Sequence, residues 1–308
     1  MRVFRDTDQL PEFNNSVVTI GTFDGVHLGH QKIIAQMKKE ADRIGGETVI
    51  ITFFPHPRKV VKEGSPAVLI LTTLAEKISL LDSYGVDNVV VVAFDEKFSN
   101  QSASQYIEDF LWKKFRPKCV IIGYDHRFGH GRMGDYKLLE SYGNSLGFEV
   151  KEIPQQVQNE ISISSTKIRE ALLKGDIKTA DNCLGHPYFF EGMVIKGNQL
   201  GRTIGFPTAN LDTGDPEKLV PENGVYAVKV GLNGKQYLGM MNIGIRPTVG
   251  GTSRTIEVNI LDFDKDIYGE TLKIDVIAYL RGEQKFAGLD ALKSQLAKDR
   301  ESVRLLLD

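Results

Sequence analysis

The feature that most constrains this chain is a change of hydrophobic period at His186-Pro187. Before it, short β-branched runs alternate with amphipathic stretches of helical length; after it, runs of alternating apolar and polar side chains follow one another directly. Parallel strands need a long crossover, usually a helix, whereas antiparallel strands need only a short turn, so the two patterns demand different architectures. Two domains are expected, residues 1–185 and residues 186–308, and a length of 308 residues accommodates both.

In the first part the strands fall at Val17–Ile20, Thr48–Phe53, Asn88–Ala93, Cys119–Ile122 and Glu149–Ile153, with helices near 29–44, 73–84, 102–114 and 135–146. This is the order of an α/β domain with a doubly wound parallel sheet, in which ligands bind at the carboxyl ends of strands. In the second part strands are expected at Phe189–Ile195, Val225–Gly231, Gln236–Met241, Thr255–Leu261 and Leu272–Leu280. Asn233-Gly234 between two of them suits a type I′ hairpin turn, because both residues tolerate positive φ. A small antiparallel β-barrel, or a sandwich, follows, and Leu289–Leu307 returns to helical spacing as one closing helix.

Composition narrows the partners. Lys+Arg number 38 against 40 Asp+Glu, without the basic excess of a dedicated nucleic-acid binder. Cys119 and Cys183 lack ligand-like spacing, and both are expected to be buried thiols. The amino terminus has no signal-like apolar run and no stretch is long enough to span a bilayer, so a cytoplasmic protein handling small molecules is expected, with neither nucleic acid nor membrane as partner; oligomeric state is not read from the sequence, and a monomer is the default.

Two glycine-dense junctions carry the chemistry. Strand Val17–Ile20 runs into Gly21-Thr22-Phe23-Asp24-Gly25-Val26-His27-Leu28-Gly29-His30, after which helical spacing begins. Glycines there let a ligand approach the backbone, the helix start offers free N–H groups to phosphate, and His27 and His30 can donate to phosphate oxygens. A tight turn with a satisfied histidine pair would read the same way from residues alone. The second junction is Gly197-Asn198-Gln199-Leu200-Gly201-Arg202-Thr203-Ile204-Gly205-Phe206-Pro207-Thr208-Ala209-Asn210. Thr208 and Asn210 offer oxygens to a hard cation such as Mg²⁺, although a barrel loop with a rigid proline is the stronger account on residues alone.

The first junction resembles the signature of the HxGH nucleotidyltransferases, specifically their bacterial FAD synthetase branch. Phe54-Pro55-His56-Pro57, Gly123-Tyr124-Asp125-His126-Arg127-Phe128-Gly129 and Ser164-Ser165-Thr166-Lys167-Ile168-Arg169 match further segments of that branch, in order. The resemblance implies that Gly21, Phe23, Asp24 and Gly29 contact ATP, joined by Asp125, Ser164, Ser165 and Thr166. It gives His27, His30 and Arg169 the stabilisation of phosphate charge, and His56 a flavin contact.

The second junction resembles the signature of riboflavin kinase, with Gly224-Val225-Tyr226, Asn242–Thr248 and Thr255–Asn259 in support. Here the resemblance implies a catalytic carboxylate at Glu257, phosphate contacts at Gly197, Gly201, Arg202 and Gly205, Mg²⁺ at Thr208 and Asn210, and flavin contacts at Arg281 and Phe286. Many kinases of this family have histidine where this chain has Asn259. Together the two resemblances imply a bifunctional enzyme that phosphorylates riboflavin with ATP to FMN and adenylylates FMN with ATP to FAD, with Mg²⁺ for both. A kinase with an inactive first domain, a flavin sensor and a transferase for another substrate are the alternatives. The first is opposed by intact histidines, the second by Glu257, and the third by the kinase segment.

Overall fold

A computed structural model describes residues 1–61, 68–124, 126–153, 163–197, 200–248 and 251–307. The Cα positions divide the chain into two compact units, Met1–Ser164 and Ser165–Asp308.

In the first unit, six parallel strands form one sheet in the order β1-β4-β3-β2-β5-β6, where β1 is Arg2–Phe4, β2 Val17–Ile20, β3 Thr48–Phe54, β4 Asn88–Ala93, β5 Cys119–Gly123 and β6 Glu149–Ile153. β2 is buried at every position because helices cover both faces, which is why it reads as a continuous β-branched run rather than an alternating one, with the Thr19 hydroxyl satisfied by the Ile121 carbonyl. Val18, Ile20, Val49 and Ile51 point into one core, with Phe110 and Phe115, while Val17, Ile50 and Val89 point into the other, with Ile34 and Met37 of helix Leu28–Ile44. Each such side chain contributes about 1.5–3 kcal/mol on burial. Helix Leu74–Ser83 starts with a complete capping box, Thr73 accepting from the Glu76 N–H and Glu76 accepting from the Thr73 N–H.

The chain winds outward from β2 through β3 to β4, then returns to place β5 on the other flank of β2. That reversal sets the loops after β2 and β5 on either side of one crevice at the carboxyl edge. The structure adds the short edge strand β1, and it gives the helical stretch 103–115 a π-helical centre, Tyr106–Trp112, neither of which the hydrophobic period disclosed.

The second unit opens with helices Ser165–Leu172 and Ile177–Leu184 and then closes a six-stranded antiparallel barrel in the order β10-β11-β8-β7-β12-β9. Its strands are β7 Tyr188–Ile195, β8 Ala209–Asp212, β9 Gly224–Leu232, β10 Lys235–Thr248, β11 Gly251–Ile260 and β12 Thr271–Arg281. Closure settles barrel against sandwich. β9 and β10 meet through Asn233 (φ 49°) and Gly234 (φ 75°), the conformations a type I′ turn requires. Helix Leu289–Leu307 seals one face, Val303 and Leu296 packing with Phe206, Ala227, Met240 and Leu261. β8 is a correction to the expected strand set: it begins in the last two residues of the glycine-dense junction and runs past it, and its four residues are too few for a period to show. Both cysteines are buried free thiols.

Candidate active sites

The first site is built where β2 ends. The loop Gly21–Val26 turns sharply enough that Phe23 (φ 50°), Gly25 (φ 81°) and Val26 (φ 40°) all take left-handed backbone, which costs the two side-chain-bearing residues about 1–3 kcal/mol each. Asp24 holds that shape. It is 3% exposed, and its carboxylate accepts from the Leu71 N–H at 2.9 Å and the Thr72 N–H at 3.0 Å. Its observed bonds therefore serve the loop, a role that sequence spacing does not reveal because residues 71 and 72 are remote. Beneath the loop lies a residue the sequence reading missed: Lys77, 7% exposed, donates to the Thr22 carbonyl at 2.9 Å and to Thr52 Oγ1 at 3.0 Å. Burial lowers its pKa to about 8, against the opposing pull of Asp24.

His27 caps helix Leu28–Ile44, its Nδ1 accepting from the His30 N–H at 3.4 Å. An acceptor at Nδ1 places the proton of the neutral ring on Nε2, where it is a donor. His30 stacks on His27 with ring centroids 3.7 Å apart, and the Phe23 ring lies tilted against it at 4.6 Å. Burial, then the charges of His27 and Lys77, hold the His30 imidazole well below its usual pKa, so at neutral pH it is uncharged. Its Nδ1 is buried with no hydrogen-bond partner among the described residues. A ring nitrogen left so is costly, by about 1–3 kcal/mol, and a ligand polar group would relieve it.

The other predicted residues of this site distribute unevenly. Gly21 and Gly29 lie against the rings of Phe23 and His27, where an added Cβ would stand 3.2 Å from each. His56 follows β3, neighbour of β2, and its Nδ1 accepts from the Arg58 N–H at 3.2 Å. Asp125 lies outside the described residues. The segment Ser164–Arg169 straddles the division between the units: Ser164 ends the first, while Ser165, Thr166 and Arg169 lie on helix Ser165–Leu172 of the second.

The second site is built on the β8–β11 pair. Register sets Glu257 of β11 opposite Asn210 of β8 and, on its other side, opposite Asn242 of β10. Thr208, just before β8, directs its hydroxyl toward Glu257, with Oγ1 3.5 Å from Oε2. Gly197 belongs to this site for a steric reason, since a Cβ there would overlap the Asn210 amide; likewise a Cβ at Gly201 would overlap the Phe206 carbonyl. Gly205 (φ 80°) lets the intervening turn close. Three side chains with hard oxygen donors thus converge beside a glycine backbone, a donor set suited to Mg²⁺. Arg202 is exposed on the short helix Leu200–Thr203.

Arg281 lies at the end of β12 and is paired. Its guanidinium meets Asp299 of the closing helix, Nη2 to Oδ2 at 2.6 Å and Nε to Oδ1 at 3.0 Å, with side-chain exposures of 16% and 5%. It also lies over the Phe286 ring at 5.8 Å, so Arg281 and Phe286 are neighbours. The Asp299 partnership, carried by a helix far along the chain, is the part of this arrangement that the sequence reading missed.

A helix-start histidine pair at a switch point of a parallel sheet, and a Thr-Asn-Glu cluster on a small barrel, define a two-module protein of phosphate chemistry. Comparison with known proteins makes this specific. Residues 9–167 match the FAD synthetase family model and residues 184–307 the riboflavin kinase model. The chain is 39% identical to the bifunctional riboflavin kinase/FMN adenylyltransferase of Escherichia coli K12 over 306 residues, covering 99% of this chain and 96% of that one. It is 40% identical to the protein of the same description from Listeria monocytogenes, covering 97% and 94%. A crystal structure from Streptococcus pneumoniae, described as a macrolide-efflux protein, superposes with a TM-score of 0.89 at 33% identity over 98% of both chains. No helix among the described residues is long and apolar enough to cross a membrane. The chain belongs to the bifunctional riboflavin kinase/FMN adenylyltransferase family.

Proposed function

We propose that this chain makes FAD from riboflavin in two ATP-dependent steps, with residues 186–308 as the kinase module and residues 1–185 as the adenylyltransferase module. It is a riboflavin kinase and an FMN adenylyltransferase. The observation that carries the reading is that each of the two segments matched to a family contains its own cluster of side chains suited to phosphate.

In the kinase step Glu257 accepts the proton of riboflavin's terminal ribityl hydroxyl; the freed oxygen attacks the γ-phosphorus of ATP, and the bond to ADP breaks. The opposition of Glu257 and Asn210 supports this role. Thr208 and Asn210 would hold Mg²⁺, which supplies neutralisation of the phosphate charge; Gly197, Gly201, Arg202 and Gly205 would border the phosphates. Arg281 and Phe286 would bear on the flavin, and the pairing with Asp299 supports a guanidinium held in one orientation.

In the adenylyltransferase step an oxygen of FMN's phosphate attacks the α-phosphorus of the second ATP and pyrophosphate leaves, without a covalent enzyme intermediate. Positioning and charge stabilisation are then the whole of the protein's task. By the resemblance, His27 and His30 donate to phosphate oxygens and Arg169 supplies a permanent positive charge. The resemblance gives Gly21, Phe23, Asp24 and Gly29 to the ATP loop, Ser164, Ser165 and Thr166 the role of hydroxyl donors, Asp125 a nucleotide contact and His56 a flavin contact. The orphaned Nδ1 of His30 supports a polar ligand at this point.

Incubation with riboflavin, ATP and Mg²⁺, followed by chromatography over time, tests the reading. FMN should appear first and FAD second. FMN without FAD overturns the first-module assignment, and no flavin product overturns both.

A further inference from the structure

Asn259 stands two residues beyond Glu257 on β11, so both side chains leave the same face of that strand. β8 pairs with β11 through Leu211↔Ile256, Asn210↔Glu257 and Ala209↔Val258, and there the ladder ends. Pro207, shortly upstream, has no N–H with which to prolong it. The Asn259 side chain takes over the attachment. Its Nδ2 donates to the Pro207 carbonyl at 2.7 Å, and the residue is only 6% exposed. That carbonyl belongs to the peptide group from which Thr208 springs, and Thr208 Oγ1 is 3.5 Å from Glu257 Oε2. One strand therefore carries both the proposed proton acceptor and the clamp on the segment that faces it.

We propose that Asn259 is a positioning residue of the kinase reaction: its amide N–H, by gripping the Pro207 carbonyl, fixes Thr208 and Asn210 relative to Glu257. The inference rests on the kinase reading above. The property required is a donor aimed at a carbonyl. A histidine ring N–H meets that requirement, whereas a carboxylate, which only accepts, opposes it. A displacement of about 1 Å among reacting groups can cost about 100-fold in rate without loss of binding.

The test is steady-state kinetics of both reactions in the full-length chain carrying Asn259→Asp or Asn259→His. Asn259→Asp should lower kcat for riboflavin phosphorylation by about 10- to 100-fold, with KM for riboflavin within about threefold and FMN adenylylation unchanged. Asn259→His should recover most of the rate. A further readout separates positioning from mere structure: protonation of the introduced carboxyl group restores a donor, so the ratio of Asn259→Asp to wild-type kcat should rise as pH falls. A ratio that stays flat with pH, an undiminished kcat in Asn259→Asp, or a loss seen only in riboflavin KM overturns the proposal. Failure of the wild type to make FMN would instead overturn the kinase reading itself.

Discussion

The two modules meet the same problem, a phosphate in flight, from opposite sides of the protein–water divide. In the first unit the proposed site lies at the carboxyl edge of the sheet: His30 stacks on His27 and lies against Phe23, and a buried lysine lies beneath the loop. In the second it is mounted on a barrel strand, where Glu257 and its partners Thr208 and Asn210 are only partly buried. Burial disfavours the charged form of the His30 ring, whereas Glu257, Thr208 and Asn210 stay within reach of water. The difference teaches that a parallel sheet and a barrel can host related reactions only by making different electrostatic arrangements.

The sharpest way to break this comparison is to remove one side of it at a time. Glu257→Gln should lower riboflavin phosphorylation by about 100- to 10,000-fold, the range of general-base contributions, and leave adenylylation of supplied FMN intact. Comparable losses in both reactions would show that the sites are not separate. His30→Ala should lower FMN adenylylation by about 100- to 1,000-fold, so that riboflavin is converted to FMN and accumulates there. Accumulation of FAD at the wild-type rate would remove the histidine from the mechanism.

A smaller effect sharpens the contrast within the barrel. Asp299→Ala strands the Arg281 guanidinium, which is 16% exposed in its side chain, and should destabilise the second unit by about 3–5 kcal/mol. Amide exchange should quicken in Leu289–Leu307 and the barrel while the first unit keeps its protection; uniform protection would show that the pair holds nothing together.

The smallest expected effect is a pair of opposed pH slopes. Burial raises the Asp181 carboxyl to about 7 from 3.8, with the Asp275 charge adding to the rise and the Tyr188 N–H opposing it. The folded second unit then binds an extra proton between those values, so this group's contribution is full below about 3.8 and is lost as pH rises through 7. Lys77, lowered from 10.5 to about 8, acts the other way: the unfolded chain binds the extra proton, and the first unit gains stability as pH rises from about 8 to 10.5. Unit-resolved amide exchange across pH should show both slopes, the first abolished by Asp181→Asn and the second by Lys77→Met. Parallel slopes in the two units would contradict the assignment.

How far the sequence speaks differs between these features. The central strands β2, β3, β4 and β5 are legible because they are almost wholly buried and rich in β-branched residues, whereas the edge strand β1 is short and exposed and carries no such signal; the Asn233-Gly234 hairpin is legible because its backbone admits few other residues. Glu257 and the histidine pair are named by motif. What the pattern does not convey is what those motifs lean on: Asp24 on the Leu71 and Thr72 amides, Lys77 beneath Thr22, Asp299 under Arg281, Asn259 on Pro207.

Periodicity and backbone preference, which act over a few neighbouring residues, set the change from a parallel to an antiparallel sheet, the turn that joins β9 to β10 and the residue types offered to phosphate. Only folding made β8, closed the second sheet, buried the His30 ring and set a lysine beneath the Gly21–Val26 loop. Each of these depends on groups far apart in the chain, and burial, charge and hydrogen-bond partnership are set only when folding brings them together.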